Sequence, residues 1–343
     1  LTLVDDLQPT TVARIKTGTF GRSGVLDFRR GRRLPVGWDH FAHRCGGSYH
    51  GSKAYIDANR LTHRVAIFEF SFGGEKVAQC AIGSPRFGKQ FIFLDTLQVL
   101  PKAAQHWSAM MQIILRSLGP GRYRYGSSWT TLAGRHDDLQ ALIGVTVLHA
   151  EHYYVQAVDF AMWPDWQSYF RAISTNAKRN AAKALKTDPQ VGIEWLTGLN
   201  ALRRSRQMIT MRQNMFHRKK VRWLFSEWSA QLLRRVVMLR SYGVTAWVRH
   251  QERLTAFAFG VRFGDKFYYT DGASVQGNGG SAWYLLIELL RRTQQEHPQG
   301  QFVMGYNPVI PFSDVEGWSN VLRQREQCKV RNFPTSVVKF VFA

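Results

Sequence analysis

Apolar and polar positions alternate in short runs punctuated by glycine turns, and the runs come in a fixed order. Val65 to Ser71 and Val77 to Ile82 read as strands joined through Gly73-Gly74, and Gln90 to Val99 reads as a third strand. Ala103 to Leu118 then takes the spacing of an amphipathic helix, and Tyr123 to Trp129 returns to a strand pattern. The same order recurs downstream. Strands are predicted at Val244 to Arg249, Leu254 to Val261 and Lys266 to Val275, a helix at Ser281 to Gln295, and a strand at Gln301 to Gly305. Shifted by 176 positions without a gap, Arg86-Phe87-Gly88 falls on Arg262-Phe263-Gly264, Phe91 on Phe267, Asp95 on Asp271, Val99 on Val275, Trp107 on Trp283 and Arg116 on Arg292. Those eight identities in the 33 positions from 86 to 118 compare with about two expected by chance at ordinary residue frequencies. The pattern predicts an α/β chain, a mixed sheet with flanking helices, built as two tandem halves over residues 1–160 and 161–343.

Between the copies the pattern changes. From Phe170 to Lys186 one helix is predicted, with Phe170, Ile173, Ala177, Ala181 and Ala184 on one face and Arg171, Lys178, Arg179, Lys183 and Lys186 on the other. Asp188-Pro189 ends it. A strand from Val191 to Leu196 follows, then helices from Leu199 to about Met215 and from Phe225 to about Leu239, separated by the basic run His217 to Arg222.

Charge turns this segment into a functional clue. The chain of 343 residues carries 46 Lys and Arg against 24 Asp and Glu, a net charge of +22. Residues 171–250 hold seventeen of the cations and only Asp188, Glu194 and Glu227 as acids, so most of the excess is local to the helical segment 166–240. A surplus of that size calls for a polyanionic or acidic partner. With 45% hydrophobic and 13% aromatic residues, the chain is no disordered basic tail. Cys45, Cys80 and Cys328 are odd in number and widely spaced, which excludes a disulfide scaffold and a cysteine zinc site and fits a cytoplasmic protein. Asp39-His40-x-x-His43-x-Cys45 with His50 has metal-binding residue types but no third ligand at tetrahedral spacing, so no metal is expected. Ser127-Ser128 lacks the glycines of a nucleophile elbow. No window reaches the ~18 apolar residues of a membrane helix. Leu1 to Ala13, with Asp5 and Asp6, does not read as a secretory signal, and a start at Leu1 leaves room for a removed leader.

The most informative short stretch joins the strand ending near Val275 to the helix beginning at Ser281, through Gln276, Gly277, Asn278, Gly279 and Gly280. Glycines let a backbone curl around an oxyanion, and a helix N-terminus adds roughly half a positive charge, so phosphate is the natural guest of such a loop. A plain strand-to-helix connection has the same outline. The stretch lacks the Gly-Lys-Ser/Thr of a Walker loop and the later acidic residue of a dinucleotide site.

Gln276-x-x-Gly279-x-Ser281 resembles the pyrophosphate loop Gln/Arg-x-x-Gly-x-Gly/Ala of the GNAT acyltransferase superfamily, departing at its last position. Trp166-x-x-Tyr169-Phe170, the run Ser174-x-Asn176-x-Lys178-Arg179-Asn180-x-x-Lys183, the strand pair Thr255 to Phe259 and Lys266 to Tyr269, and this loop follow in an order that looks like the FemABX and CelD-type members, which are built from two GNAT-like halves. The likeness covers about residues 165–300 and reaches the first half only through the repeat. There Gln98 to His106 has lost the glycines, so the carrier loop at 276–281 is expected in the second half alone.

The resemblance implies a donor ester or thioester wedged between two splayed strands, here those ending at Asp271 and beginning near Phe302. A backbone N–H would polarise its carbonyl while an amine attacks. It makes Gln276, Gly277, Gly279, Gly280 and Ser281 the carrier-binding residues. Asp271 becomes the base candidate, although a turn aspartate before Gly272 reads the same way. Tyr306 becomes the acid candidate, although Tyr-Asn-Pro also suits an ordinary turn. Lys178, Arg179, Lys183, Lys186, Arg218, Lys219, Lys220 and Arg222 would meet phosphates, or form a solvated face. Relatives of this type carry an Asp where Val303 to Pro308 has none, and its role does not transfer.

Three readings follow. The first is transfer of an aminoacyl group from aminoacyl-tRNA to an amine on a small molecule or peptide, with no tightly bound cofactor. The second uses acyl-CoA or an acidic acyl carrier protein as donor. The third is an RNA-binding protein without catalysis. The first is preferred because coenzyme A needs few basic groups, whereas this charge suits a long phosphate backbone.

Overall fold

A computed structural model describes residues 11–16, 25–85, 89–218, 235–238, 240–277, 279–309 and 318–343. The chain divides into two compact units, the first Leu1–Thr130, Gly134–Glu151 and Ser336–Ala343, the second Thr131–Ala133 and His152–Thr335.

The first unit contains β1 (Thr11–Lys16), β2 (Val25–Gly31), α1 (Trp38–Arg44), α2 (Lys53–Asn59), β3 (Arg64–Phe72), β4 (Glu75–Ser84), β5 (Gln90–Phe93), β6 (Gln98–Val99), α3 (Trp107–Leu118), β7 (Gly121–Tyr125) and α4 (His136–Gln140). β8 (Val145–Asp159) begins in this unit and ends in the second. The second unit continues with α5 (Trp166–Ala172), α6 (Thr175–Thr187), β9 (Gly192–Thr197), α7 (Ser205–Arg218), β10 (Gly243–His250), β11 (Arg253–Phe263), β12 (Lys266–Ser274), α8 (Ser281–Glu296), β13 (Gln301–Pro308) and α9 (Trp318–Gln327). β14 (Arg331–Phe342) starts there and returns to the first. The sequence suggests a cut after residue 160. The division instead falls within β8, because that strand runs without a linker to interrupt it, and β14 carries the chain back, which no single cut can express.

Each unit lays its repeated strands in the same way. In the first, β2, β3, β4 and β5 pair antiparallel in turn, β5 pairs β7 in parallel, and β7 pairs the end of β14 antiparallel. In the second, β9, β10, β11 and β12 pair antiparallel, β12 pairs β13 in parallel, and β13 pairs the end of β8 antiparallel. The parallel step is forced by the helix between its two strands, since only a crossover returns the chain in the same direction. It also places equivalent aromatics together: Phe91 stacks on Tyr123 at 4.8 Å, and Phe267 on Phe302 at 5.2 Å.

The helices cover the sheets through the faces their periodicity defines. Trp107, Met110, Met111, Ile114 and Leu115 bury one stripe of α3 against Phe68, Phe70, Tyr123 and Tyr125. Leu285, Leu286, Leu289 and Leu290 of α8 meet Ala177 and Ala184 of α6 over Ala246, Ala256 and Ala258. Small residues on α6 let the two helices approach closely. On the other face Met208 and Met211 of α7 pack on Trp247, Phe257 and Ala273.

Three expectations shift in detail. The single helix from Phe170 to Lys186 is two, because the Ser174 hydroxyl accepts the Ala177 N–H and caps a new start after Ile173. The predicted strand Gln90 to Val99 is broken into β5 and β6, whereas its counterpart β12 is continuous. The helices predicted from Ala103 and from Leu199 open as 3₁₀ turns, at Pro101–His106 and Gly198–Arg204. The predicted helix Phe225 to Leu239 lies outside the described residues except for 235–238, which are helical.

Candidate carrier and acyl-transfer site

β12 and β13 hydrogen-bond only over Lys266 to Tyr268 and Gln301 to Val303. Beyond that β12 stays with β11 as far as Ser274, and β13 follows β8 to Pro308, so a splay opens after Tyr268 and Val303. Each strand carries a register shift where it turns aside, β12 opposite Phe259/Gly260 and β13 between Val303 and Gly305. Gly305 has φ 119°, a left-handed geometry that glycine tolerates, and a Cβ there would approach the Arg325 guanidinium. The backbone polar groups released by the splay are what a thioester or ester carbonyl can use.

Charged side chains gather at this opening. Asp271, buried, is held by Arg212 from α7 and, at 2.7 Å, by Arg235. Arg325 of α9 donates to Gln156 Oε1 at 2.8 Å and to the Tyr306 carbonyl at 2.9 Å. Burial brings both Arg212 and Arg325 down to about 10, with Tyr269 working against the shift in each. Burial pushes the Tyr269 hydroxyl up to about 12 despite those two arginines. All three therefore keep their usual neutral-pH states, two cations and one neutral phenol. Asp271 Oδ1 also accepts the Gly272 backbone N–H at 2.8 Å, the contact of a turn aspartate. A carboxylate with a guanidinium on each oxygen braces two arginines, whereas a general base needs a lone pair aimed at its acceptor. Tyr306 is half-buried on β13, its ring edge-on to Tyr153 at 5.2 Å.

The glycine loop leaves β12 and enters α8. Gly277, Gly279 and Gly280 have φ of 68°, 58° and 93°, so the turn is left-handed at all three. Gly280 precedes the helix, and a Cβ on it would strike the Asn180 carbonyl oxygen of α6 and come within 3.2 Å of Lys183 Cβ. A Cβ on Gly279 would meet Thr187 Oγ1 at 3.0 Å. Gln276 and Gly277 are exposed, and Ser281 is fully buried. The loop is thus pressed against α6 while its outer edge faces solvent at a helix N-terminus, where the dipole favours an anion. A cavity of about 300 Å³ borders Gln276 on the α7 side, between Met211, His217, Arg218 and Ser274.

The basic residues separate. Arg179, Lys183 and Lys186 are exposed on α6, and that helix from Thr175 to Thr187 contains no acid. Lys178 turns away, donating to the Arg171 carbonyl at 3.1 Å and lying over the Phe170 ring. Arg218 bonds the Ser274 carbonyl at 2.8 Å, just before the loop. Lys219, Lys220 and Arg222 lie outside the described residues, as does Asn278. Sequence reading misses Arg212, Arg235, Gln156 and Arg325, because an arginine bound for a buried pair has no local signature that distinguishes it from a surface cation.

Residues 170–298 match the acetyltransferase (GNAT) domain family. That segment is a GNAT acetyltransferase domain. Among solved structures the tandem, Fem-like architecture extends over nearly all of the chain. FemX is similar with a TM-score of 0.67 at 9% identity, covering 90% of this chain and 96% of that one. L-PGS from Bacillus licheniformis gives 0.55 at 10% identity, over 91% and 92%. A tandem GNAT protein from the clavulanic acid biosynthesis pathway gives 0.50 at 9% identity, over 92% and 98%. At such identities the likeness is one of fold. No curated protein matches the chain by sequence. Among the described residues no helix is long and apolar enough to cross a membrane, and no three His, Cys, Asp or Glu side chains gather as a metal would need.

Proposed function

We propose that this GNAT-type enzyme forms an amide bond by transferring an aminoacyl group from aminoacyl-tRNA to an amine on a small molecule or peptide. The observation that carries the reading is the meeting of the acid-free basic face of α6 with the glycine loop, where Asn180 and Lys183 abut Gly280. A phosphate seated at the start of α8 would continue along Lys183, Lys186 and Arg179, and a run of phosphates is what tRNA offers. The Fem-like fold supports the same donor. In this scheme the loop N–H groups hold the terminal phosphates, the ester carbonyl enters the splay, and backbone N–H groups there take up the oxyanion charge. The attacking amine loses its proton to solvent, and Tyr306 is the group we assign to protonate the departing ribose oxygen.

A second reading has its own observation. The left-handed turn at Gly277, Gly279 and Gly280 against a helix N-terminus suits a single diphosphate, so acyl-CoA, or the phosphopantetheine of an acidic carrier protein, is the alternative donor. Affinity against salt separates them. Bulk aminoacylated tRNA should bind with a steep log-linear loss as salt rises, about 0.9 units per phosphate contact. A flat dependence with tight coenzyme A binding gives the site to acyl-CoA. Salt-sensitive RNA binding without acyl transfer to any amine would leave a binding protein.

A further inference from the structure

Ser281 occupies the place where the GNAT loop pattern has glycine or alanine, and its surroundings give the hydroxyl a purpose. It is the first residue of α8 and fully buried, with Oγ 2.8 Å from His250 Nε2 and 2.8 Å from Thr255 Oγ1. His250 ends β10 and Thr255 lies on β11 just beyond the turn between them. Behind the imidazole stands Asp188, the residue that closes α6, with Oδ2 3.6 Å from His250 Nδ1. That carboxylate is itself fixed by two backbone donors at 2.9 Å, Gln190 N–H on Oδ1 and Gln251 N–H on Oδ2. A line of side chains therefore runs from the end of α6 through the half-buried His250 to the start of α8, joined by hydrogen bonds at Ser281 and by a longer charge contact at Asp188.

The order Asp, His, Ser is that of a nucleophilic triad, and the geometry removes that use. Ser281 has no exposed surface and shares its hydroxyl with Thr255, so no substrate carbonyl can reach Oγ. With glycine or alanine at this position His250 Nε2 would lose this hydrogen-bond partner. We infer that His250 is a positioning residue for the carrier loop: bonded to Ser281 and backed by Asp188, it fixes the first residue of α8 and thereby the glycine turn that faces the donor's phosphates. The inference rests on the donor assignment above. A hydrogen bond on the residue that starts the helix matters here because Gly277, Gly279 and Gly280 have little conformational preference of their own to hold the turn.

The test uses the full chain as wild type, His250→Ala, His250→Gln and Ser281→Ala. Amide hydrogen exchange over residues 276–284 is followed without ligand, and binding of coenzyme A and of bulk aminoacylated tRNA is measured in parallel. Exchange in this segment should quicken about tenfold in His250→Ala and Ser281→Ala, as expected for one lost buried hydrogen bond. His250→Gln, whose amide can still bond Ser281, should recover most of the protection. Whichever probe the wild type binds should weaken about tenfold in the two alanine variants, recover in His250→Gln, and do so while exchange in β11 and β12 stays unchanged. A loop equally protected in His250→Ala and Ser281→Ala, in a protein that binds a probe, overturns the inference alone. Faster loop exchange in a protein whose wild type binds neither probe overturns the donor assignment and with it the role of His250.

Discussion

Asp95 and Asp271 stand at the same step of the repeat, each just past the parallel strand pair of its unit; each accepts a backbone N–H, and they differ in the side chains beside them. Asp95 accepts the Ser48 backbone N–H at 2.8 Å and faces the Gln98 amide at 3.4 Å. Gln98 in turn accepts from Gln79 at 2.8 Å, and its amide lies so close to Gly47 and Gly51 that a Cβ on either would displace it. The opening beside β5 is thus filled with neutral amides and a tight turn. Asp271 holds two arginines at an opening lined by Tyr269, Tyr306 and Arg325. The loops differ likewise. Leu100-Pro101-Lys102 leads into a 3₁₀ turn whose proline has no N–H to offer, whereas Gly279-Gly280 leads directly into α8. The same path appears twice, once closed by amides and once carrying the arginines and the glycine loop to which the proposed function assigns the donor.

The largest expected effect comes from removing the charge at that step. Asp271→Asn removes the carboxylate that Arg212 and Arg235 share and should cost about 3–5 kcal/mol in denaturant unfolding. Asp95→Asn, opposite the Ser48 N–H and the Gln98 amide, should cost only about 1–3 kcal/mol. Equal losses would mean that the two aspartates are interchangeable.

Next in size is the loop. Gly279→Val forces a branched residue into φ 58° beside Thr187 and should reduce donor binding about a hundredfold or more with the fold retained. At the matching site in the first unit, Ala103 is buried and Ala104 is exposed, so Ala104→Val is the fair control and should leave binding unchanged. Donor affinity that responds equally to both variants would place a second carrier site in the first unit.

The basic face gives a smaller and more specific effect. Arg179→Ala, Lys183→Ala and Lys186→Ala together should flatten the salt slope of tRNA binding by about two to three units, since each phosphate contact contributes slightly less than one. An unchanged slope would move the nucleic-acid surface away from α6.

The smallest effect reads pH. Burial alone would raise Glu194, but hydrogen bonds from Arg249 and Arg204 outweigh it and hold its carboxyl below 4.5. A folded pKa below the unfolded one means stability present above pH 4.5 and lost as pH falls through the folded value. Glu194→Gln should therefore lower Tm slightly at neutral pH and shrink the acid-limb loss. In the first unit a hydrogen bond from Lys102 holds the exposed Glu75 carboxyl below its usual range, so Glu75→Gln is the comparison variant and should shrink the acid-limb loss less.

Much of the architecture is written in local pattern. The strands and helices of both copies follow from period and glycine placement, and the repeat follows from Phe91/Phe267, Asp95/Asp271 and Trp107/Trp283, which recur at one fixed offset along the chain. The acid-free face of α6 is legible because the helix fixes which residues share a side. The break at Ser174 is not, since a serine in a helical period signals a cap only when its hydroxyl finds the N–H three residues on. Nor is β8, whose outer half alternates weakly and whose inner half is almost uniformly buried. The site is legible at its loop and hidden in its supports.

By itself the sequence determined what depends on neighbours a few residues apart: the order of elements, the glycine turn before α8, the concentration of positive charge and the doubling of one unit. Only the tertiary structure decided what depends on residues far apart in the chain. It set Lys183 beside Gly280, spent Asp271 on Arg212 and Arg235, and joined Asp188, His250 and Ser281 beneath the loop. The reason is physical. Backbone preference and amphipathic period act over one or two turns, whereas a buried charge or hydroxyl takes whichever partner the packed core brings within about 3 Å, and nothing in its own neighbourhood names that partner.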